Sequence, residues 1–264
     1  MEISEEQNHV LGTFNLDKGP CLGRGGSAQV VLASNRKDPS AKVAVKIISF
    51  ESGKQAMVDQ FHDEVSALRC LSHDRVMSLV TYASTPRQGF IVLKYYPHGT
   101  VDKSFPVESS VALGYVADVA RALDYIHRLR IYHQDIKPAN IFLDGDGRAA
   151  LGDFGLARRL KDGEKKVTSW VSTCGFYGPE TRTGRCMCPF KLDMYSLGVT
   201  MCLLVYRCFP LGLDPLTTTD QCRDVKPSYR KVLRHLLEPE PRLRLNASTF
   251  LRVASVLCPS RPPQ

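Results

Sequence analysis

The stretch Ile131-Tyr132-His133-Gln134-Asp135-Ile136-Lys137-Pro138-Ala139-Asn140-Ile141-Phe142-Leu143 constrains this chain more than any other. Its apolar ends read as a buried strand and a second short strand, and the polar residues between them as a tight loop. That loop carries a carboxylate (Asp135), an ammonium (Lys137) and a carboxamide (Asn140) at fixed offsets. Such a set can take a proton, offset developing negative charge and ligate a metal. Those are the needs of phosphoryl transfer.

A length of 264 residues allows one large domain or two lobes. Hydrophobic residues make up 43%, enough for a substantial core, which excludes global disorder. The net charge of +8 could attract nucleotides, acidic peptides or nucleic acid. The lysines and arginines are not interleaved with aromatics along a groove-like element, so no nucleic-acid partner is expected. Nine cysteines, odd in number and scattered, read as reduced thiols rather than a disulfide framework. Cys186-x-Cys188 lacks the second pair that a zinc site would need. Met1-Glu2-Ile3-Ser4-Glu5-Glu6 lacks the charged and apolar regions of a signal peptide. The most apolar run, Leu197 to Val205, is too short to span a membrane. These features predict a cytoplasmic protein, with the nucleus also open to it.

In chain order, residues 1–14 are polar and are expected to be loose. Phe14 to Leu32 reads as strand, glycine-rich turn and strand, with Gly23-Arg24-Gly25-Gly26-Ser27-Ala28 at the turn. Glycines there let the backbone fold sharply and aim N–H groups at phosphate oxygens. Lys42-Val43-Ala44-Val45-Lys46-Ile47-Ile48 alternates as a strand, placing Lys46 on the face of the small Ala44. Met57, Phe61, Val65 and Leu68 form a helical stripe with Glu64 beside it. Two further strands precede Pro97-His98-Gly99-Thr100, the candidate lobe boundary. A helix is expected over Glu108 to Leu129, with Ser109 and Ser110 as candidate caps. Beyond the Asp135 loop lie Gly152-Asp153-Phe154-Gly155, a core helix beginning at Asp193, and helices over 227–237 and 246–257. Asn246-Ala247-Ser248 fits a glycosylation sequon, which has no meaning without secretion.

Taken in order, these pieces resemble a eukaryotic protein kinase domain of the Ser/Thr type, from about residue 16 to residue 256. The likeness rests on the glycine-rich loop, Val43-Ala44-Val45-Lys46, Glu64, His133-Gln134-Asp135, Asn140, Asp153-Phe154-Gly155 and Gly178-Pro179-Glu180. Around Asn140 the loop is similar to that of NIMA-related kinases. The resemblance implies an α+β, bilobal fold: a small antiparallel-sheet N-lobe with one helix over 15–96, and a larger, mostly helical C-lobe with its hinge over 97–256. Residues 1–14 would be a flexible terminus and 257–264 a tail.

The resemblance also implies ATP and one or two Mg2+ ions as cofactors. Lys46, paired with Glu64, would hold the α- and β-phosphates. Leu22, Gly23, Arg24, Gly25, Gly26, Ser27, Ala28 and Val30 would cover the nucleotide. Ala44, Leu93, Tyr95 and Phe142 would contact adenine. Asp153 and Asn140 would hold metal, Asp135 would orient the acceptor hydroxyl and accept its proton, and Lys137 would stabilise the transferred group. Lys137 and Thr173 imply serine or threonine as acceptor, on protein substrates with no membrane partner. The resemblance leaves any regulatory partner unidentified. Asp193 would tie the core helix to the catalytic loop, and Arg244 would bridge to Glu180.

Three positions depart from the family pattern. Gln134 replaces the arginine that grips a phosphorylated loop, so activity is expected to depend little on phosphorylation at Thr168, Ser169 or Ser172. Ala28 replaces a glycine, implying weaker phosphate closure. Gly178 replaces an alanine, implying some lost backbone order. The alternative reading is a pseudokinase or scaffold that binds nucleotide and partners without turnover. Against it stand Lys46, Glu64, Asp135, Asn140 and Asp153, all present.

Overall fold

A computed structural model describes residues 3–25, 28–50, 55–104, 107–183, 186–206 and 227–257. They fall into two compact units: Met1–Ser72 with Met77–Tyr96, and His73–Val76 with Pro97–Gln264.

The first unit is a five-stranded antiparallel sheet with two helices. The strands are β1 (Leu16–Arg24), β2 (Ala28–Asn35), β3 (Lys42–Ser49), β4 (Leu79–Ser84) and β5 (Gln88–Lys94), in spatial order β1-β2-β3-β5-β4. Alternation sorts β3 into two faces. Val45 and Ile47 join Val31, Ala33, Phe90 and Val92 in a buried core on one of them. The helix α2 (Gln55–Arg69) buries Phe61, Glu64, Val65 and Leu68. Gly89 on β5 is needed where it meets α2, because a Cβ there would lie 2.5 Å from the Phe61 ring.

The N-terminal segment differs from the expected loose chain. It forms helix α1 (Ile3–Thr13), with Val10 and Leu11 buried in the sheet core. Buried Gln7 accepts a 2.7 Å hydrogen bond from Lys18 Nζ. Val45, Ile47, Phe90 and Val92 present an apolar surface that needs a cover, and an adjacent helix with a Val-Leu pair supplies one.

The second unit holds α3 (Ser109–Arg128), β6 (Ile131–Tyr132), β7 (Ile141–Leu143), β8 (Ala149–Leu151), β9 (Arg158–Arg159), α4 (Pro189–Tyr206), α5 (Pro227–Leu236) and α6 (Ala247–Leu257). α3 is capped differently from expectation. Its N-cap residue is Glu108, and no side chain makes a cap hydrogen bond. α4 begins four residues before Asp193, at Pro189, whose missing N–H suits a first turn. It is buried all round, from Leu192 to Leu204. Asn246 serves as a helix cap, with its Oδ1 accepting the Thr249 N–H at 2.8 Å.

The segment His73–Val76 is stitched into this unit. His73 stacks on Tyr125 at 4.9 Å, Arg75 Nε lies 3.3 Å from Asp118, and the Arg75 carbonyl accepts the Leu151 N–H. Burial raises the Asp118 carboxyl above its usual range, against the pull of Arg75, the Ala149 N–H and Arg121. Among the described residues Cys21, Cys70, Cys174, Cys186 and Cys188 are free thiols. No described helix is long and apolar enough to cross a membrane. Gly26, Ser27 and residues 258–264 of the expected tail lie outside the described residues, while Leu257, the first residue of that tail, closes α6.

Candidate active site

Four candidate residues of the first unit, Val30, Ala44, Lys46 and Leu93, share one sheet face. In the β2–β3–β5 register, Val30 sits opposite Lys46, and Ala44 opposite Leu93. Cross-strand partners project to the same side, so Val30, Ala44, Lys46 and Leu93 lie on the face away from Val45 and Ile47. Gly23 pairs with Val30 from β1, whose register shifts between Lys18 and Gly23. Gly25 and Ala28 are joined by a 2.8 Å backbone hydrogen bond across the turn. Leu22 and Arg24 are exposed, while Ala28 and Tyr95 are half-buried.

Lys46 Nζ donates to both carboxylate oxygens of Glu64, at 2.8 and 2.9 Å. Glu64 is 1% exposed. A carboxylate so buried on an amphipathic helix is tolerable only with a cation beside it. This is why α2 can carry an acid next to its apolar stripe.

The candidate loop residues Asp135, Lys137 and Asn140 are assembled in the second unit. β6 leads into the loop and β7 leaves it, paired with β8. Between them the chain turns through Gln134, at φ +70, and a short 3-10 turn over Pro138–Asn140. Buried Asp193 fixes that turn from below. Its Oδ2 accepts the His133 N–H at 2.9 Å and its Oδ1 the Gln134 N–H at 3.0 Å. His127 Nε2 meets Oδ2 at 2.9 Å. The core helix α4 thereby holds the loop through its own carboxylate.

His133 is fully buried, and burial pushes its imidazole below the usual range despite Asp193, Asp153 and Asp135 nearby. Its neutral ring bridges Gly152 O, 3.1 Å from Nε2, and the Asp135 N–H, 3.3 Å from Nδ1. The ring meets Phe154 edge to face at 4.8 Å. Asp153, next to Gly152, holds a left-handed φ of +57. A non-glycine residue held there is a backbone that the surroundings impose.

Asp135 is 6% exposed and both its oxygens are engaged. Thr173 Oγ1 donates to Oδ1 at 2.5 Å. Lys137 Nζ lies 2.8 Å from Oδ2 and donates to Thr173 Oγ1 at 2.7 Å. Asn140 Nδ2 donates to Oδ2 at 2.9 Å and to the Asp135 carbonyl at 2.8 Å. Burial alone would raise this carboxyl, but hydrogen bonds from Lys137 and Thr173, the Lys137 charge and Asn140 outweigh it and hold it below the usual range. Because the Asn140 amide nitrogen is committed inward, its oxygen is the group left to face a cation. An amide oxygen with a carboxylate is a hard-oxygen pair that suits Mg2+.

Arg244 is 1% exposed and forks onto Glu180, with Nη1 to Oε1 at 2.6 Å and Nη2 to Oε2 at 3.0 Å. Its remaining N–H groups reach the carbonyls of Glu238 and Lys191. Tyr195 lies under the guanidinium at 4.8 Å, and burial pushes its phenol up to about 12.

Several anchoring residues carry no local signal in the sequence. Trp170 stacks on Tyr132, with centroids 5.9 Å apart. Arg130, at φ +63, donates to the carbonyls of Leu160, Lys161 and Glu164. His127, in the last turn of α3, reads as an ordinary helical histidine until its partner Asp193, 66 residues on, is in place.

Comparison with known proteins gives the family. Residues 16–254 match the protein kinase domain family. The chain is 33% identical over 206 residues to a probable LRR receptor-like serine/threonine-protein kinase, RPK1, of Arabidopsis thaliana, covering 74% of this chain and 37% of that one. It is 28% identical over 264 residues to CBL-interacting serine/threonine-protein kinase 15 of the same organism, covering 94% and 62%. The receptor-like kinase TMK2 is 33% identical over 205 residues, covering 72% and 22%. The chain thus spans between 22% and 62% of the length of these relatives.

Proposed function

The chain belongs to the protein kinase domain family, and from that premise we propose that it is an ATP-dependent kinase that phosphorylates serine or threonine on proteins. The observation that carries this reading is the Asp135–Lys137–Asn140–Thr173 cluster.

Lys46 would hold the α- and β-phosphates, kept in place by Glu64, with the glycine-rich turn and Val30, Ala44, Leu93, Tyr95 and Phe142 around the nucleotide. Asn140 and Asp153 would hold Mg2+, which when bound neutralises charge on the transferring phosphoryl group. Asp135 would accept the hydrogen bond of the incoming hydroxyl. A carboxylate held below its usual range is a weak base at neutral pH. Its contribution is chiefly orientation, with the proton taken late. Lys137 would meet the phosphoryl oxygens as negative charge builds. The boundaries we assign are a kinase N-lobe over 15–96 and the hinge with the kinase C-lobe over 97–256.

Incubation with Mg2+, labelled ATP and a generic protein substrate tests the reading, with Asp135→Asn as the blank. Label appearing on serine and threonine in the wild-type reaction only is the expected result. Equal labelling in both reactions would reject catalysis.

A further inference from the structure

We propose that the segment from Arg159 to Lys166 is a preformed cationic ridge that selects acidic sequences flanking the acceptor hydroxyl. This deepens the kinase reading and rests on it.

The ridge consists of Arg159, Lys161, Lys165 and Lys166, all exposed. Its backbone is fastened at both ends. β9 pairs with β6, setting Arg159 opposite Ile131 and Arg158 opposite Tyr132, just before the catalytic loop. The Leu160 N–H donates to the Arg130 carbonyl at 2.8 Å, and the Arg130 guanidinium clasps the turn from within. Val167 and Met187 exchange two backbone hydrogen bonds of 2.8 Å. Farther along, Trp170 stacks on Tyr132 and Thr173 bonds Asp135, so the same segment returns to the catalytic carboxylate.

The nearby acids do not neutralise the ridge. Asp162 lies 3.7 Å from Arg130, and Glu164 accepts the Lys161 backbone N–H at 3.3 Å. Among the described residues none of the four cations forms an ion pair. Nor does Gln134 draw the segment inward by charge, since it is neutral and its carboxamide donates to Leu156 O at 2.6 Å. Like charges held on a fixed backbone repel one another, and an acidic peptide relieves that repulsion. The acceptor that brings aspartate or glutamate to the catalytic loop is therefore favoured over one that brings lysine.

The test uses the purified chain, with serine peptides differing only in glutamate, alanine or lysine flanks. A variant carrying Lys161→Gln, Lys165→Gln and Lys166→Gln alters exposed side chains only. We expect kcat/KM for the glutamate peptide to exceed that for the alanine peptide by about tenfold at low salt, shrinking toward parity as salt screens the charges. The triple variant should lose this preference through KM, with kcat on the alanine peptide unchanged. Fluorescence anisotropy of the labelled glutamate peptide should show the same loss of binding without requiring turnover. Binding that depends on the three lysines, in a protein that transfers no phosphate to any peptide, would support the ridge and contradict the kinase reading. Equal use of the three peptides, or a preference that survives in the triple variant, would overturn the ridge. So would displacement of the peptide by a single-stranded oligonucleotide that binds the three lysines more tightly.

Discussion

Arg244 holds both carboxylate oxygens of Glu180, 64 residues away, while almost none of its own surface reaches solvent. Removing the guanidinium leaves a largely buried carboxylate without its cation. Arg244→Ala should cost about 3–5 kcal/mol. Urea denaturation of the two proteins, followed by circular dichroism, measures it.

Gly178 is needed because of that same carboxylate. A Cβ at this position would lie 2.8 Å from Glu180 Cδ and 3.1 Å from Oε1. The carboxylate cannot step aside, because both oxygens are held. Gly178→Ala should therefore destabilise by about 1–3 kcal/mol, the range for overpacking a filled site. In an Arg244→Ala background the penalty should fall, because Glu180 is then free to move. A double-mutant cycle reads the coupling.

The helix α1 precedes the family match, which begins at residue 16, yet Leu11 is fully buried against the sheet. Leu11→Ala should cost about 2–5 kcal/mol. A truncation starting at residue 16 exposes the face lined by Val31, Val45, Ile47, Phe90 and Val92 and should aggregate. Thermal denaturation and size-exclusion chromatography check the two outcomes.

Gln134 fastens the catalytic loop to Leu156 with a neutral hydrogen bond that requires no phosphate. The triple variant Thr168→Ala, Ser169→Ala, Ser172→Ala should then keep transferase activity within about twofold of wild type, because Thr168 and Ser169 are exposed and the buried Ser172 hydroxyl has no hydrogen-bond partner among the described residues. Gln134→Glu removes the donor and sets a carboxylate against a carbonyl. It should lower kcat by about tenfold, the equivalent of one hydrogen bond to a partly buried group. Steady-state assays of both variants decide the point.

Much of this architecture is legible in the residues themselves. Alternation along Val43 to Ile47 places Lys46 on the face of Ala44, and the stripe of α2 predicts which residues it buries. The loop motif gathers Asp135, Lys137 and Asn140 because they are near neighbours in sequence. Three other features do not follow from local pattern. α1 has little apolar periodicity of its own and is ordered by the sheet it covers. The fit at Gly178 depends on a carboxylate pinned from Arg244, so the substitution reads as lost order until the partner is in place. The anchors His127, Arg130 and Trp170 act through partners distant in sequence or through carbonyls, for which a sequence carries no mark.

The central claim is that Asp135, held by Lys137, Thr173 and Asn140, serves the transfer step itself rather than nucleotide binding. Single-turnover transfer from preloaded ATP and Mg2+ to a serine peptide, compared between wild type and Asp135→Asn with nucleotide affinity measured in parallel, tests it most directly. The account predicts nucleotide affinities within about threefold and a transfer rate lower by about 10²–10⁴ in the variant, the range for loss of a positioned acid–base group. Equal transfer rates in the two proteins, or a rate loss fully matched by lost nucleotide binding, would contradict it.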